Sequence, residues 1–527
     1  MHGIFLCMKS HRIAAAGLLI LFTSPLTAQV EPRPRLVILV AVDQFRADYL
    51  QRFRADYSGG LDLLLTKGAV FEDARLEHFP SVTATGHSTF LTGATPSLSG
   101  IIGNEWYDRE QHRNVTSVSD EAVKLLGGSP GSGSSPHRLL VSTVGDELKL
   151  SDKSRSRVIG ISLKDRGAIL PAGHMADGAF WFDARTGNFV SSTYYFPELP
   201  GWVHQFNALR AGDRFKGVEW MGRRFPAQPG PGLYEALPAS PFGNDLVEEF
   251  AERAIRAERL GQRDVTDLLS VSFSSNDYVG HAFGPDSPQV RDISVRTDRL
   301  LGKFFAFVDK QVGLRNVVIV FTADHGVVSL PDLNATRRMP GGRVSDAGLR
   351  DAVQRALEKR FGEGEWISGT GEFDFYLNRD LIAGKKLSQS EVEQVAADAL
   401  LAIPHVFRVY TRAGLMNGPP PDPVTGKVLN GFNVQRSGDV WVLLDPYWIA
   451  AAKGTTHGSP FVYDIHVPLM FMGPGIRAGR YFDPVAENDI APTLAAILGV
   501  QFPSGSVGRI LHEMFESTPA GMQAAQR

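Results

Sequence analysis

Continuous apolar runs, each closing on a polar residue, recur along the chain. Leu36–Val42 is apolar throughout and stops at Asp43. Val158–Leu163 stops at Lys164, Leu268–Phe273 is followed by Asn276 and Asp277, and Val317–Ala323 stops at Asp324. Short β-branched runs without alternation are the pattern of strands buried on both faces. Between them the apolar positions take a helical period, as in Asp245–Leu260 and Ser287–Val312. Strands alternating with helices predict an α/β fold, a mostly parallel sheet sandwiched by helices. The polar residues that end the runs then lie at the carboxyl edge of the sheet, where ligands bind in open α/β folds.

Two stretches depart from this alternation. Residues 104–240 carry aromatic clusters such as Phe180-Trp181-Phe182 and Tyr194-Tyr195-Phe196, and read as a cap elaboration. Residues 331–455 show two helical patterns, Ala347–Phe361 and Ser388–Leu401. Three short strand patterns accompany them, Phe373–Leu377, Val406–Thr411 and Val440–Leu444, so this stretch reads as an inserted α+β subdomain. The core resumes with a strand at Val467–Met472 and a helix at Asn488–Leu498. The expected organisation is a core over 35–330, the insertion over 331–455 and the rest of the core over 456–527.

The N-terminus reads differently. Lys9 and Arg12 precede the apolar run Ile13–Phe22, which is followed by Ser24-Pro25-Leu26-Thr27-Ala28. This is the layout of a signal peptide, with cleavage expected after Ala28 and with Met8 an alternative start. Residues 1–28 are therefore expected to be removed and the product to be periplasmic or secreted, free of the membrane. The one cysteine, Cys7, lies in that segment, so disulfides, thiolate metal sites and cysteine nucleophiles are excluded from the mature chain.

With 54 Lys+Arg against 57 Asp+Glu, the net charge of −3 argues against a general nucleic-acid-binding surface. Any attraction for anions must be local. At 43% hydrophobic residues, the chain has ample material for a large core.

Six candidate metal ligands stand among the aspartates and histidines. Asp43 ends a strand, Asp277 and His281 are spaced i, i+4, which puts both on one face if the segment is helical, and Asp324-His325 ends another strand. His457 sits in a loop of small residues. Carboxylates and imidazoles without thiolates suit catalytic zinc, and six ligands suit about two ions with open positions. Singly, each has an ordinary reading as a turn residue or a solvated helix face.

The segment Pro80–Phe90 reads as a loop entering a helix, with hydroxyls at Ser81, Thr83 and Thr85. They can be N-caps, or one can be a nucleophile beside a helix start that favours phosphoryl groups. The residues alone leave Thr83 and Thr85 open. Lys164 and Arg166 are two apart, and in an extended segment both face one side, suited to phosphate oxygens. Asn104 is a further candidate amide donor to the same anion, or a turn residue.

Taken together, Asp43, the Thr83 segment, Asp277-x-x-x-His281, Asp324-His325 and His457 resemble the alkaline phosphatase superfamily. Within it the chain is most similar to bacterial periplasmic alkaline phosphatases with a threonine nucleophile. The likeness runs from about residue 35 to 512. It implies Thr83 as nucleophile, one zinc on Asp277, His281 and His457, and a second on Asp43, Asp324, His325 and Thr83. It also implies Asn104, Lys164 and Arg166 as the phosphate-binding trio. The expected activity is zinc-dependent hydrolysis of small-molecule phosphate monoesters through a phosphothreonine, by a monomer. Sulfatases are disfavoured, because Thr83-Ala84-Thr85-Gly86-His87 lacks their Cys/Ser-x-Pro-x-Arg pattern. The alternatives are a nucleotide pyrophosphatase/phosphodiesterase-like diesterase, disfavoured by Lys164 and Arg166, and a non-catalytic exported phosphate-binding protein.

Overall fold

The computed structural model describes residues 33–418 and 422–516. The expected signal peptide and Cys7 lie outside the described residues. Seven strands carry the argument: β1 (Leu36–Val42), β2 (Ala69–Arg75), β3 (Val158–Ser162), β4 (Gly178–Asp183), β5 (Asp267–Phe273), β6 (Val317–Thr322) and β7 (His466–Met472). They form the body of one 12-stranded sheet in the order β2-β7-β6-β1-β5-β3-β4.

The apolar runs occupy the middle, and β6, β1, β5, β3 and β4 are parallel neighbours. Every residue of β1 and β5 is buried, because helices cover both faces. Alternate side chains divide between two cores. Leu36, Ile38, Val40 and Val42 pack with helices α3 (Pro241–Glu258) and α5 (Pro288–Gln311). Val37, Leu39 and Ala41 pack on the other face with Phe90 and Leu91 of α1 (Thr83–Thr92) and with α6 (Ile490–Leu498). Helices α2 (Asp165–Ala172) and α4 (Ser275–Phe283) start just beyond β3 and β5. In β3, Gly160 lets α2 lie on the sheet, since a β-carbon there would fall 1.9 Å from the Ala168 carbonyl oxygen.

Outside this parallel centre the direction changes. Strand β7 is antiparallel to both β6 and β2. The loop holding His457 is already at the carboxyl edge, and the strand it enters must run back from that edge. For the same reason β2 runs toward the edge and delivers the chain to α1. Part of the 104–240 stretch joins the sheet, through β4, Asn188–Ser192, Ser119–Leu126 and Ser132–Ser134.

The 331–455 stretch has its own four-stranded antiparallel sheet, Ile367–Thr370, Asp374–Leu377, Val440–Leu444 and Val406–Thr411. Helices Asp346–Phe361 and Gln389–Leu401 pack on it around a separate core that includes Leu349, Val353, Trp366, Phe375 and Val392. The tight turn between its first two strands, Gly371-Glu372-Phe373, reaches the carboxyl edge of the main sheet.

Candidate active site

Parallel strands place their ends together, so residues far apart in sequence meet at one edge. Asp43 follows β1 directly, Asp324 and His325 follow β6, Lys164 follows β3, and Asp277 and His281 lie on α4 after β5. His457 approaches from the loop before β7, and α1 brings Thr83 as its first residue. Asp43, Asp277, Asp324, His325, Lys164 and Thr83 are all buried.

The ligand candidates form two groups that share Asp277. Asp277, His281 and His457 offer donor atoms within 4.8 Å of one another, as do Asp43, Asp277 and His325. Asp324 adjoins the second group, with Oδ2 3.5 Å from His325 Nε2. The three imidazoles are oriented alike. His281 Nδ1 lies 2.7 Å from the Thr455 carbonyl oxygen, His457 Nδ1 2.9 Å from that of Ser81, and His325 Nδ1 2.9 Å from that of Gly326. A carbonyl only accepts, so each Nδ1 carries the proton and each Nε2 lone pair faces the cluster. That is the tautomer a metal ligand needs, set by its outer hydrogen bond. Among the described residues Asp43 Oδ1 and His325 Nε2 are buried without a hydrogen-bond partner, and Asp43 Oδ2 and Asp324 Oδ2 face only Lys164 Nζ and the His87 and His325 rings. The donor set of carboxylates and imidazoles, with inward unpaired atoms, fits divalent zinc.

The electrostatics follow from crowding charges into a dry site. Burial and the neighbouring Asp324 push the Asp43 carboxyl up, against the pull of Lys164. Burial would also raise Asp277, but Lys164 and His281 outweigh it and hold that carboxyl well below its usual range. Burial and the neighbouring His325 and His281 keep His457 neutral by lowering its pKa.

Lys164 is the hub. Its Nζ lies 2.6 Å from Asp43 Oδ2, 2.7 Å from Asp277 Oδ2 and 3.3 Å from Thr83 Oγ1. Burial would lower its pKa, but the two carboxylates raise it above the ordinary lysine value, so it stays charged. The local geometry differs from the extended segment expected for Lys164-x-Arg166. Lys164 is the N-cap of α2 and Arg166 sits in its first turn, so strand alternation does not align them. A strand followed at once by a helix turns the chain through the site, and the charge of Arg166 still acts on Lys164 and Tyr278.

The two threonines separate clearly. Thr85 is consumed in capping: its hydroxyl accepts from Val82 N at 3.2 Å and lies 2.9 Å from the Pro80 carbonyl oxygen. Thr83 Oγ1 instead faces Lys164. Its helix rests directly on a metal-ligand candidate, because a β-carbon on Gly86 would fall 2.4 Å from the Asp324 carbonyl oxygen. Asn104 Oδ1 accepts from Ala84 N at 3.0 Å, which fixes the amide beside the helix start.

Four contributors have no role in the sequence reading. Gln44 adopts φ of +62°, unusual for a non-glycine residue. Its backbone N donates to Asp324 Oδ1 at 3.1 Å and its Nε2 to Asp277 Oδ1 at 2.7 Å, so one residue ties both groups together. His87, one helical turn beyond Thr83, donates from Nδ1 to the Thr83 carbonyl oxygen at 2.9 Å, and the same atom lies 3.1 Å from Asp324 Oδ2. Glu372 accepts from Asn104 Nδ2 at 2.9 Å. Phe373 packs on Gly458, next to His457. His87 lay within the recognised helix-start segment, whereas nothing in the local sequence marks the other three.

The pattern of the family described as Type I phosphodiesterase / nucleotide pyrophosphatase matches residues 37–460. The chain belongs to this family, within the alkaline phosphatase superfamily that its motifs resemble. It is 38% identical to alkaline phosphatase PafA of Elizabethkingia meningoseptica, over 92% of this chain and 95% of that protein. It is 37% identical to alkaline phosphatase PhoV of Synechococcus elongatus, over 96% of this chain and all of that protein. The crystal structure of wild-type PafA superposes with a TM-score of 0.86 at 36% identity, covering 92% of this chain and 99% of that one. The α/β architecture of a sheet between helices is thus that of this superfamily, and the chain is a hydrolase of it.

Proposed function

We propose that this protein is a zinc-dependent phosphomonoesterase that works through a phosphothreonine at Thr83. The observation that carries the reading is the position of Lys164 Nζ, 3.3 Å from Thr83 Oγ1 and within 2.7 Å of carboxylates from both ligand groups. A hydroxyl, a buried cation and two metal-capable groups meet at one point. The naming of PafA and PhoV as alkaline phosphatases supports the phosphatase part of this reading.

Asp277, His281 and His457 would hold one zinc, and Asp43, Asp324 and His325 with Thr83 the other. When bound, two such ions supply the positive charge that activates a nucleophile and eases departure of the alcohol oxygen. Thr83 Oγ attacks phosphorus in line, losing its proton as the new O–P bond forms. The bond from phosphorus to the alcohol oxygen breaks, and that oxygen takes up a proton. Water then attacks the phosphothreonine and loses a proton as its oxygen bonds phosphorus, the Thr83–phosphorus bond breaks, Thr83 Oγ regains a proton, and inorganic phosphate leaves. Lys164 and Arg166 neutralise the non-bridging oxygens throughout. Asn104 has two amide N–H donors, so it can serve the phosphate while the other bonds Glu372. The helix start at Thr83 adds favourable potential for the anion.

A diesterase is the second reading, which the family description favours. A monoester offers one more anionic oxygen to Lys164 and Arg166 than a diester does. Each charge-assisted contact contributes roughly 1.5–3 kcal/mol. Replacing both residues by Ala should therefore lower monoester kcat/KM by at least about a hundredfold, with a far smaller loss on diesters. Equal losses on matched aryl esters, or a wild-type enzyme faster on diesters, would overturn the monoesterase assignment.

The signal-peptide pattern supports export to the periplasm or medium. Among the described residues no helix is long and apolar enough to cross a membrane. A monomer acting on small phosphate esters is part of the same reading.

A further inference from the structure

The site opens into a cleft of about 630 Å³ between the main sheet and the 331–455 stretch. One end is lined by Asn104, His281 and His457. Asp43, Asp324 and His325 do not line it. The group of Asp277, His281 and His457 therefore borders this cleft through its two histidines. Further out the wall turns apolar, with Leu349, Phe373, Val442, Leu444 and Trp448. All five come from the 331–455 stretch. The volume is far larger than phosphate requires and falls in the range of sites that enclose whole organic ligands.

The turn Gly371-Glu372-Phe373 joins the two ends. Glu372 holds Asn104 by two contacts, Nδ2 to Oε1 at 2.9 Å and backbone N to Oε2 at 3.3 Å. The Phe373 ring covers the turn after His457 so closely that a β-carbon on Gly458 would lie 2.2 Å from its edge. The same ring lies against Phe79, with ring centroids 5.1 Å apart.

We propose that this cleft receives the alcohol portion of the ester, and that it selects esters of aromatic or similarly planar apolar alcohols, with Phe373 as the specificity-determining contact. The inference rests on the phosphomonoesterase reading for the identity of the reacting group. Of the two groups that would hold zinc, that of Asp277, His281 and His457 borders the cleft, so the part of the ester attached to phosphorus on that side would extend over Phe373 toward Leu349 and Trp448. An aromatic group there gains apolar burial and ring contact, whereas a methyl group reaches neither.

The test compares 1-naphthyl phosphate with methyl phosphate on the metal-loaded enzyme, in wild type, Phe373→Ala and Ala347→Trp. Ala347 is an exposed cleft residue in the first turn of its helix, so a Trp there fills the cleft without burdening the core. The naphthyl-to-methyl ratio of kcat/KM should fall about tenfold in each variant, which cancels the intrinsic reactivity of the two esters. Calorimetric binding of 1-naphthylphosphonate against methylphosphonate gives a second readout that needs no turnover. The naphthyl compound should bind about tenfold tighter to wild type and lose that advantage in both variants. An enzyme that hydrolyses neither ester would defeat the phosphomonoesterase reading, while the phosphonates would still decide the cleft. Equal phosphonate affinities in wild type, or a preference unchanged in both variants, would overturn the inference.

Discussion

At the scale of single residues, the site depends on which polar atoms are already committed to the fold. Thr85 spends its hydroxyl on the helix start, and Thr83 keeps its own beside Lys164. Thr83→Ala should thus lose nearly all turnover while retaining metal, and trapped phosphate should map to residue 83 by mass spectrometry. Thr85→Ala should cost about 1 kcal/mol of stability through the lost cap and much less activity. Label on Thr85 would reverse the assignment. Gln44 is the second residue-scale case. Its left-handed backbone is strained, and it is held there by hydrogen bonds to Asp324 and Asp277. Gln44→Ala should weaken zinc affinity about 10–100-fold in a chelator competition, the usual effect of losing an outer contact to a ligand. Unchanged affinity would show that Asp277 holds its place without the Gln44 amide.

At the scale of elements, the turn between Ile367–Thr370 and Asp374–Leu377 couples the inserted stretch to the site, so its own stability matters. Asp374, at the end of that turn, is buried and accepts from Gly438 N at 2.6 Å. Burial pushes its carboxyl up to about 7, with Asp439 and Glu372 adding to the rise and Arg109 and the Gly438 bond opposing it. The folded pKa exceeds the unfolded value, so the folded state binds the extra proton. Its stability contribution is complete at low pH and is lost as pH rises from about 4 through about 7, by roughly 1.4 kcal/mol per unit. Asp374→Asn cannot ionise. Relative to wild type, it should gain stability between pH 5 and pH 9 in urea unfolding. A constant difference across that range would mean that Asp374 is ionised at no cost in the fold.

At the scale of the molecule, three buried carboxylates, Asp43, Asp277 and Asp324, converge where the parallel strands end, with Lys164 as the lysine among them. Bound zinc would relieve that repulsion and join elements from both halves of the chain. Chelation should therefore abolish activity and lower the Tm together, and zinc should restore both at about two ions per chain. Full activity in metal-free protein would remove zinc from the reading. An unchanged Tm with lost activity would limit the metals to chemistry.

The central strands were legible in the sequence because burial on both faces leaves a continuous apolar run that no surface element shares. β1 begins and ends where its run does, and Val406–Thr411 and Val440–Leu444 also coincide with their patterns. Helix bounds shifted more, as where α3 opens a full turn earlier, at Pro241 after the N-cap Ser240, rather than at Asp245. The ligand candidates were legible for a related reason: a parallel sheet delivers every strand end to one edge, so strand-end residues are neighbours whatever their sequence distance. Tertiary structure alone decided the rest. The antiparallel course of β7 depends on where the His457 loop enters, not on the composition of the strand. Lys164 reaches the site as the N-cap of α2 and Arg166 lies in the first turn of that helix, where the sequence reads as an extended segment. Gln44, Glu372 and Phe373 meet Asp277, Asn104 and Gly458, each more than 80 residues away. Local sequence sets which residues can be buried strands, caps and ligands; which of them touch is settled only when distant segments exclude water from the same space.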